Sequence, residues 1–209
     1  PPRGERESKG AVMEQHEREE VAAVNAARKG FYEFLASVYK LELTDEQIAT
    51  VATQALPLDD EYVGGGYAQV KEYLRHRDSG TRQELAVDYA RVFLCAGMYE
   101  QMTAPPYESV YTSEEHLLMQ DARDAVLAFY RGEELDLPAD NTTPEDHLSF
   151  EFQFMAKLVE RAQAALEAGD EARYEELCVK QRAFYDEHLA PWVPHLCADV
   201  RAYARTGFY

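Results

Sequence analysis

Residues 143–170 read TPEDHLSFEFQFMAKLVERAQAALEAGD, and this stretch decides the fold class. Leu148, Phe152, Met155 and Val159 recur in steps of four and three, which places them on one face of an α-helix. Thr143 with Asp146 three positions on has the form of a capping box, and Pro144 presets the backbone of a first helical residue. The spacing therefore predicts a helix opening at Thr143 and closing at Gly169, where glycine can take the left-handed conformation that ends helices. Asp170 then opens the next helix.

The same signals recur to either side. Thr44 with Gln47, Thr81 with Glu84, and Thr112 with Glu115 predict three more helix starts, and Gly132 after Phe129-Tyr130-Arg131 predicts an end. From about Glu14 to Lys40, the residues Val21, Val24, Phe31, Phe34, Leu35, Val38 and Tyr39 fall at largely helical spacing and predict a long amphipathic first helix. Gly64-Gly65-Gly66 lacks the following Lys-Ser/Thr of a phosphate loop, so a hinge or turn before the helix carrying Val70, Tyr73 and Leu74 is the expectation. No segment alternates with period two, no repeat of solenoid length occurs, and no heptad register is sustained. The prediction is an all-α, single-domain helical bundle with a long ordered loop from Cys95 to Tyr111. Residues 1–13, rich in Pro, Gly and charge, are expected to form a flexible tail to an all-helical domain over 14–209.

Composition narrows the function classes. With 46% apolar residues the chain can bury one substantial core. A net charge of −18 disfavours nucleic acid, whose binders carry a basic face, and favours basic partners, although acidity also serves solubility. Cys95, Cys178 and Cys197 are odd in number and widely spaced, with no zinc or dithiol pair, as suits a reducing compartment. No stretch approaches the roughly 20 apolar residues of a membrane span, and the N-terminal segment lacks the apolar centre of a secretory signal. A cytoplasmic protein without membrane insertion is expected.

Three constellations carry candidate chemistry. Ala104-Pro105-Pro106-Tyr107-Glu108-Ser109-Val110-Tyr111 puts two prolines, two phenols, a carboxylate and a hydroxyl in one loop, suited either to gripping a peptide or to stapling the loop onto the bundle. In Thr143-Pro144-Glu145-Asp146-His147 the aspartate can cap the helix, whereas His147 has no capping duty; with Glu151 it forms a pair that is either a metal half-site or a helix-stabilising contact. His188 to His195, with Pro191 and Pro194 around Trp192, predicts a break between helices and a core or interface anchor. The Glu-x-x-His, H-E-x-x-H and G-x-S-x-G signatures are missing, so no catalytic residue, metal or cofactor is expected. A helical metal-dependent hydrolase using His147, Glu151 and His116 stands as the alternative.

Together these segments resemble the TorD/DmsD family of redox-enzyme maturation chaperones, from the first helix to Trp192. Tyr89-Ala90-Arg91-Val92-Phe93-Leu94-Cys95 is similar to the family's aromatic-x-x-Leu-Phe-x-Gly segment, Pro106 to Tyr111 to its Pro-x-x-Ser-x-Tyr loop, and Thr143 to His147 to its Glu-Pro-x-Asp-His motif. Here Thr143 replaces the acid and Cys95 the glycine. The resemblance implies binding of the twin-arginine signal peptide, the apoenzyme of a molybdopterin oxidoreductase, or both, holding the client back from export until its cofactor is loaded. It implies a monomer or a domain-swapped dimer, with weak guanine-nucleotide binding a minor possibility in the absence of a phosphate loop. Asp146 and His147 are expected beside the loop of Pro106, Tyr107, Glu108, Ser109 and Tyr111, with Tyr89 and Phe93 lining apolar surface and Glu108 or Asp146 meeting an arginine.

Overall fold

The computed structural model describes residues 15–54, 61–94 and 103–209; the expected tail over 1–13, Cys95, and the first part of the long loop lie outside these. The order is α1 (Gln15–Lys40), α2 (Asp45–Thr53), α3 (Glu61–Arg75), α4 (Thr81–Phe93), α5 (Glu108–Thr112), α6 (Asp121–Gly132), α7 (Leu148–Ala168), α8 (Glu171–Phe184), a π-helical turn (Tyr185–Leu189) and α9 (Val193–Tyr203). Among the described residues there is no strand, only an isolated antiparallel bridge between Tyr107 and His147.

The helix read first from the sequence is the centre of the bundle. Its residues Leu148, Phe152, Met155, Leu158 and Val159 are buried, and α1 packs along one side of it while α8 packs along another. Gly169 ends it at φ 73°, and Asp170 caps α8 by accepting from the Arg173 N–H at 3.0 Å. Trp192, Phe184, Leu177 and Leu196 complete the main core, which also takes in Tyr89 and Phe93 from α4. A smaller cluster of Val38, Leu43, Ile48, Val51, Leu74, Leu85 and Phe208 lies under α2 and α3. Asp88 draws the C-terminal segment onto the bundle by accepting from the Arg205 and Thr206 N–H groups at 2.9 and 2.8 Å.

Several predicted boundaries shift, some because a side chain finds a different local partner and others because it finds one across the chain. The capping box at Thr44 and Gln47 forms. Thr81 is instead the first residue of α4: its hydroxyl accepts from the Asp78 N–H at 2.8 Å, and Glu84 receives the Tyr73 hydroxyl. Thr112 ends a helix rather than starting one, because its hydroxyl donates to the Glu108 carbonyl one turn back. Thr143 does not cap α7, which begins at Leu148 with His147 as its cap. The Gly64-Gly65-Gly66 run lies inside α3, where neighbouring packing overrides a propensity cost of about 1 kcal/mol per glycine. Gly132 is the last residue of α6, and the left-handed residue just beyond it is Glu134 at φ 53°. There the buried Glu133 carboxylate gathers Arg161, Arg173 and Lys180, tying the end of α6 to α7 and α8.

Candidate functional site

The Pro106–Tyr111 segment and the Asp146-His147 pair, 37 residues apart in sequence for Ser109 and Asp146, meet in the fold. The Glu108 N–H donates to the Asp146 carbonyl at 3.0 Å, and the Leu148 N–H to the Pro106 carbonyl at 2.9 Å, forming the bridge. The Asp146 carboxylate accepts from the Ser109 N–H at 2.8 Å and from the Ser109 hydroxyl, so it caps α5 across the chain instead of closing a capping box with Thr143. The Tyr107 ring meets His147 edge to face at 4.8 Å. Arg123 of α6 forms a two-pronged pair with Glu145 and so holds this segment against α6.

His147 is buried, and its Nδ1 accepts from the Ser149 N–H at 3.1 Å, which fixes the neutral ring with its proton on Nε2. Burial pushes its pKa down to about 4. An unfolded imidazole protonates near pH 6.5, so between these values the unfolded chain binds more protons than the folded one. This contribution to stability is complete above about pH 6.5 and is lost as pH falls through about 4, a change of roughly 3 kcal/mol. Urea unfolding of His147→Asn, which keeps a capping side chain, should show a shallower loss of stability between pH 7 and pH 4.5 than the parent. Equal slopes would assign the acid sensitivity to other groups.

Behind this bridge lies a second layer of titratable groups. The Glu108 carboxylate pairs with His188 Nδ1 of the π turn at 3.0 Å, with both side chains buried. Glu151 of α7 is fully buried, beside Glu108 and Asp146, and neither of its carboxylate oxygens has a hydrogen-bond partner among the described residues. Burial, then the charges of Glu108 and Asp146, hold its pKa well above the usual carboxylate range; burial also raises that of Glu108, with His188 opposing. Trp192 closes the layer, stacking near Tyr111 at 5.5 Å and donating its indole N–H to the His188 carbonyl.

Glu108 and His188 face a cleft of about 750 Å³ between α6 and the α8–π-turn region. Its floor is Ala122, Ala125, Ala128, Phe129 and Gly132, and Asp121 and Glu187 stand at its edges. Among the described residues that line it, the one lysine or arginine, Lys180, is engaged by Glu133. The loop between α5 and α6 exposes Leu117, Leu118 and Met119 in succession, with left-handed backbone at His116 and Met119.

Of the residues expected at the site, Pro106, Tyr107, Glu108, Ser109, Tyr111, Asp146 and His147 form one neighbourhood, but only Glu108 lines the cleft. Tyr89 and Phe93 do not line apolar surface: both are buried in the core, packed on Tyr209, because the helix carrying them turns that face inward. The sequence reading missed the α6 floor and assigned no role to His188. The spacing of Ala122, Ala125 and Phe129 along one helical face was the available signal. The metal reading loses its geometry. His147 is committed to Ser149, His116 faces the Val110 carbonyl on the surface, and among the described residues no group of three His, Cys, Asp or Glu is arranged to hold an ion.

The structure is thus a helical bundle with a cleft of alanines, Phe129 and Gly132 flanked by carboxylates. Comparison with known proteins identifies the kind. The chain belongs to the TorD/DmsD chaperone family: the family model described as nitrate reductase delta subunit matches residues 56–198. It is 27% identical to the chaperone protein TorD of Psychrobacter sp. (strain PRwf-1), over 84% of this chain and 80% of that one. It is 26% identical to that of Vibrio vulnificus (strain YJ016), over 91% and 90%, and 27% identical to that of Aeromonas salmonicida (strain A449), over 91% and 86%. These relatives are named as chaperones, and the enzyme alternative is set aside.

Proposed function

We propose that this chaperone receives the twin-arginine signal of a molybdopterin-containing oxidoreductase in the cleft between α6 and the π turn, keeping the cytoplasmic apoenzyme from export until its cofactor is loaded. The observation that carries the reading is the combination of Glu108, Asp121 and Glu187 with the Ala122–Ala125–Phe129 floor. A signal of this kind presents paired guanidiniums followed by an apolar stretch, so carboxylates beside an apolar trough complement it in charge and in hydrophobicity. The exposed Leu117-Leu118-Met119 segment joins α5 to Asp121 at the cleft edge and extends the apolar surface available to the stretch after the arginines. The net charge of −18 favours encounter with a basic segment. Asp146 acts through Glu108, whose backbone N–H its carbonyl accepts, and His147 acts through Tyr107, against whose ring it packs.

The test is calorimetry at two salt concentrations with synthetic Arg-Arg signal peptides and matched Lys-Lys controls. The expected result is selective binding of one Arg-Arg peptide, weaker at high salt, because a lysine ammonium cannot make the two-pronged contact of a guanidinium. Glu108→Gln, shown folded by its melting curve, should weaken that binding roughly ten- to a hundredfold. Equal affinity for Arg-Arg and Lys-Lys, or an unaffected Glu108→Gln, overturns the assignment of the cleft.

A further inference from the structure

Glu151 is the most exceptional polar group in the described structure. Its side chain is wholly buried, both carboxylate oxygens lack a partner, and the groups facing it from the surrounding elements are Glu108 of α5, Asp146 ahead of α7, Tyr130 of α6 and the Trp192 indole. No cation is among them. The indole N–H is already given to the His188 carbonyl. Two neighbouring buried carboxylates attract each other only through a proton, which one donates and the other accepts; without it they repel. The partner available for such a proton is Glu108, the same carboxylate that faces the cleft and pairs with His188.

We infer that Glu108 and Glu151 hold one proton between them beneath the cleft and release it to solvent when a guanidinium enters, so that cation binding at this site is coupled to proton loss. The inference rests on the cleft being the cation-binding site proposed above. An incoming guanidinium supplies the positive charge that the shared proton supplies in the empty site, and both carboxylates can then be ionised together. His188 holds Glu108 in place but cannot neutralise Glu151 as well. The consequence is a ligand affinity that rises with pH, by up to about tenfold per unit where one full proton is released. The affinity of a fixed, already ionised carboxylate for an arginine would be flat over the same range.

Two measurements decide it. In protein carrying carboxyl-labelled glutamate, one carbon resonance at pH 7 should have the shift of a protonated carboxyl and should vanish in Glu151→Gln; finding every glutamate ionised overturns the inference. With an N-acetylated Arg-Arg signal peptide, calorimetry in phosphate and in Tris should give heats differing by the ionisation of about one buffer molecule per peptide bound. That difference should persist in His188→Gln and be lost in Glu151→Gln, even if the latter binds the peptide. Binding with no buffer dependence, or with an undiminished dependence in Glu151→Gln, overturns the inference and leaves the signal reading standing. Failure of the peptide to bind in either buffer sinks the signal reading instead. L-arginine amide then serves as the probe: loss of the protonated resonance on its addition supports the proton link, and an unmoved resonance overturns it.

Discussion

Trp192→Ala is expected to lower the free energy of unfolding by about 3–5 kcal/mol, the range for removing a large aromatic from a packed core. For a chain of this size that corresponds to a fall in melting temperature of roughly 6–20 °C. Three features place the substitution toward the costly end. The side chain is fully buried, with Tyr111 packed beside it. Its indole N–H satisfies the His188 carbonyl, so truncation leaves a buried acceptor unpaired. The surroundings are also slow to collapse into a void, because Trp192 sits between the π turn, closed by the Ala190 N–H on the Tyr185 carbonyl at 2.8 Å, and an α9 whose first turn holds Pro194. Trp192→Phe separates the terms: it keeps most of the packing, loses the donor, and should cost about 1–3 kcal/mol. Urea unfolding at unchanged m-value measures both, and a cost below about 1 kcal/mol for the alanine variant would show that the cavity collapses.

Asp146→Ala should cost about 2–4 kcal/mol and also weaken Arg-Arg peptide binding, although Asp146 does not line the cleft. One carboxylate oxygen satisfies both the backbone N–H and the hydroxyl of Ser109, and both residues are fully buried; each orphaned donor costs about 1–3 kcal/mol. An opposing effect exists, since Asp146 repels Glu108 and Glu151, and its removal relieves that repulsion. The hydrogen bonds win: two donors lose their only acceptor, whereas the repulsion on Glu151 is already relieved where that group is protonated. Asp146→Asn keeps an acceptor for Ser109 and should recover much of the loss. Amide exchange over residues 107–112 should accelerate in the alanine variant far more than over α7, locating the damage in the loop that carries Glu108. An alanine variant with parental stability and exchange would show that the bridge is held by its backbone bonds alone.

The two substitutions separate what kinds of information the chain carries. Local rules read α1, α2, the end of α7 and the start of α8 correctly. There the deciding interactions span three or four residues: Thr44 with Gln47, a glycine free to turn left-handed at 169, and Asp170 with Arg173. The same rules misplaced the helix starts at Thr112 and Thr143. Thr112 had a closer partner in the Glu108 carbonyl, and Asp146, the acid expected to close the Thr143 box, had a better one in Ser109. Tyr89 and Phe93 carry the right chemistry for a peptide groove, but their orientation depends on how α4 packs against α1 and the C-terminal residues, as the rings of Tyr39 and Tyr209 show.

By itself the sequence determined the all-helical class, the central helix, the acidic composition, and the motif order that marks the family. All of these are set by periodicity, composition and short-range hydrogen bonding, which act along the chain before any distant contact exists. Only the tertiary structure decided that Glu108, Asp146, Glu151 and His188 share one buried neighbourhood and that α6 supplies the floor of the cleft above it. The physical reason is that a carboxylate's charge state and a side chain's accessibility depend on what surrounds it in space. Glu108 and His188 are 80 residues apart in sequence, and the packing of α5, α6, α7 and the π turn is what removes water from between them.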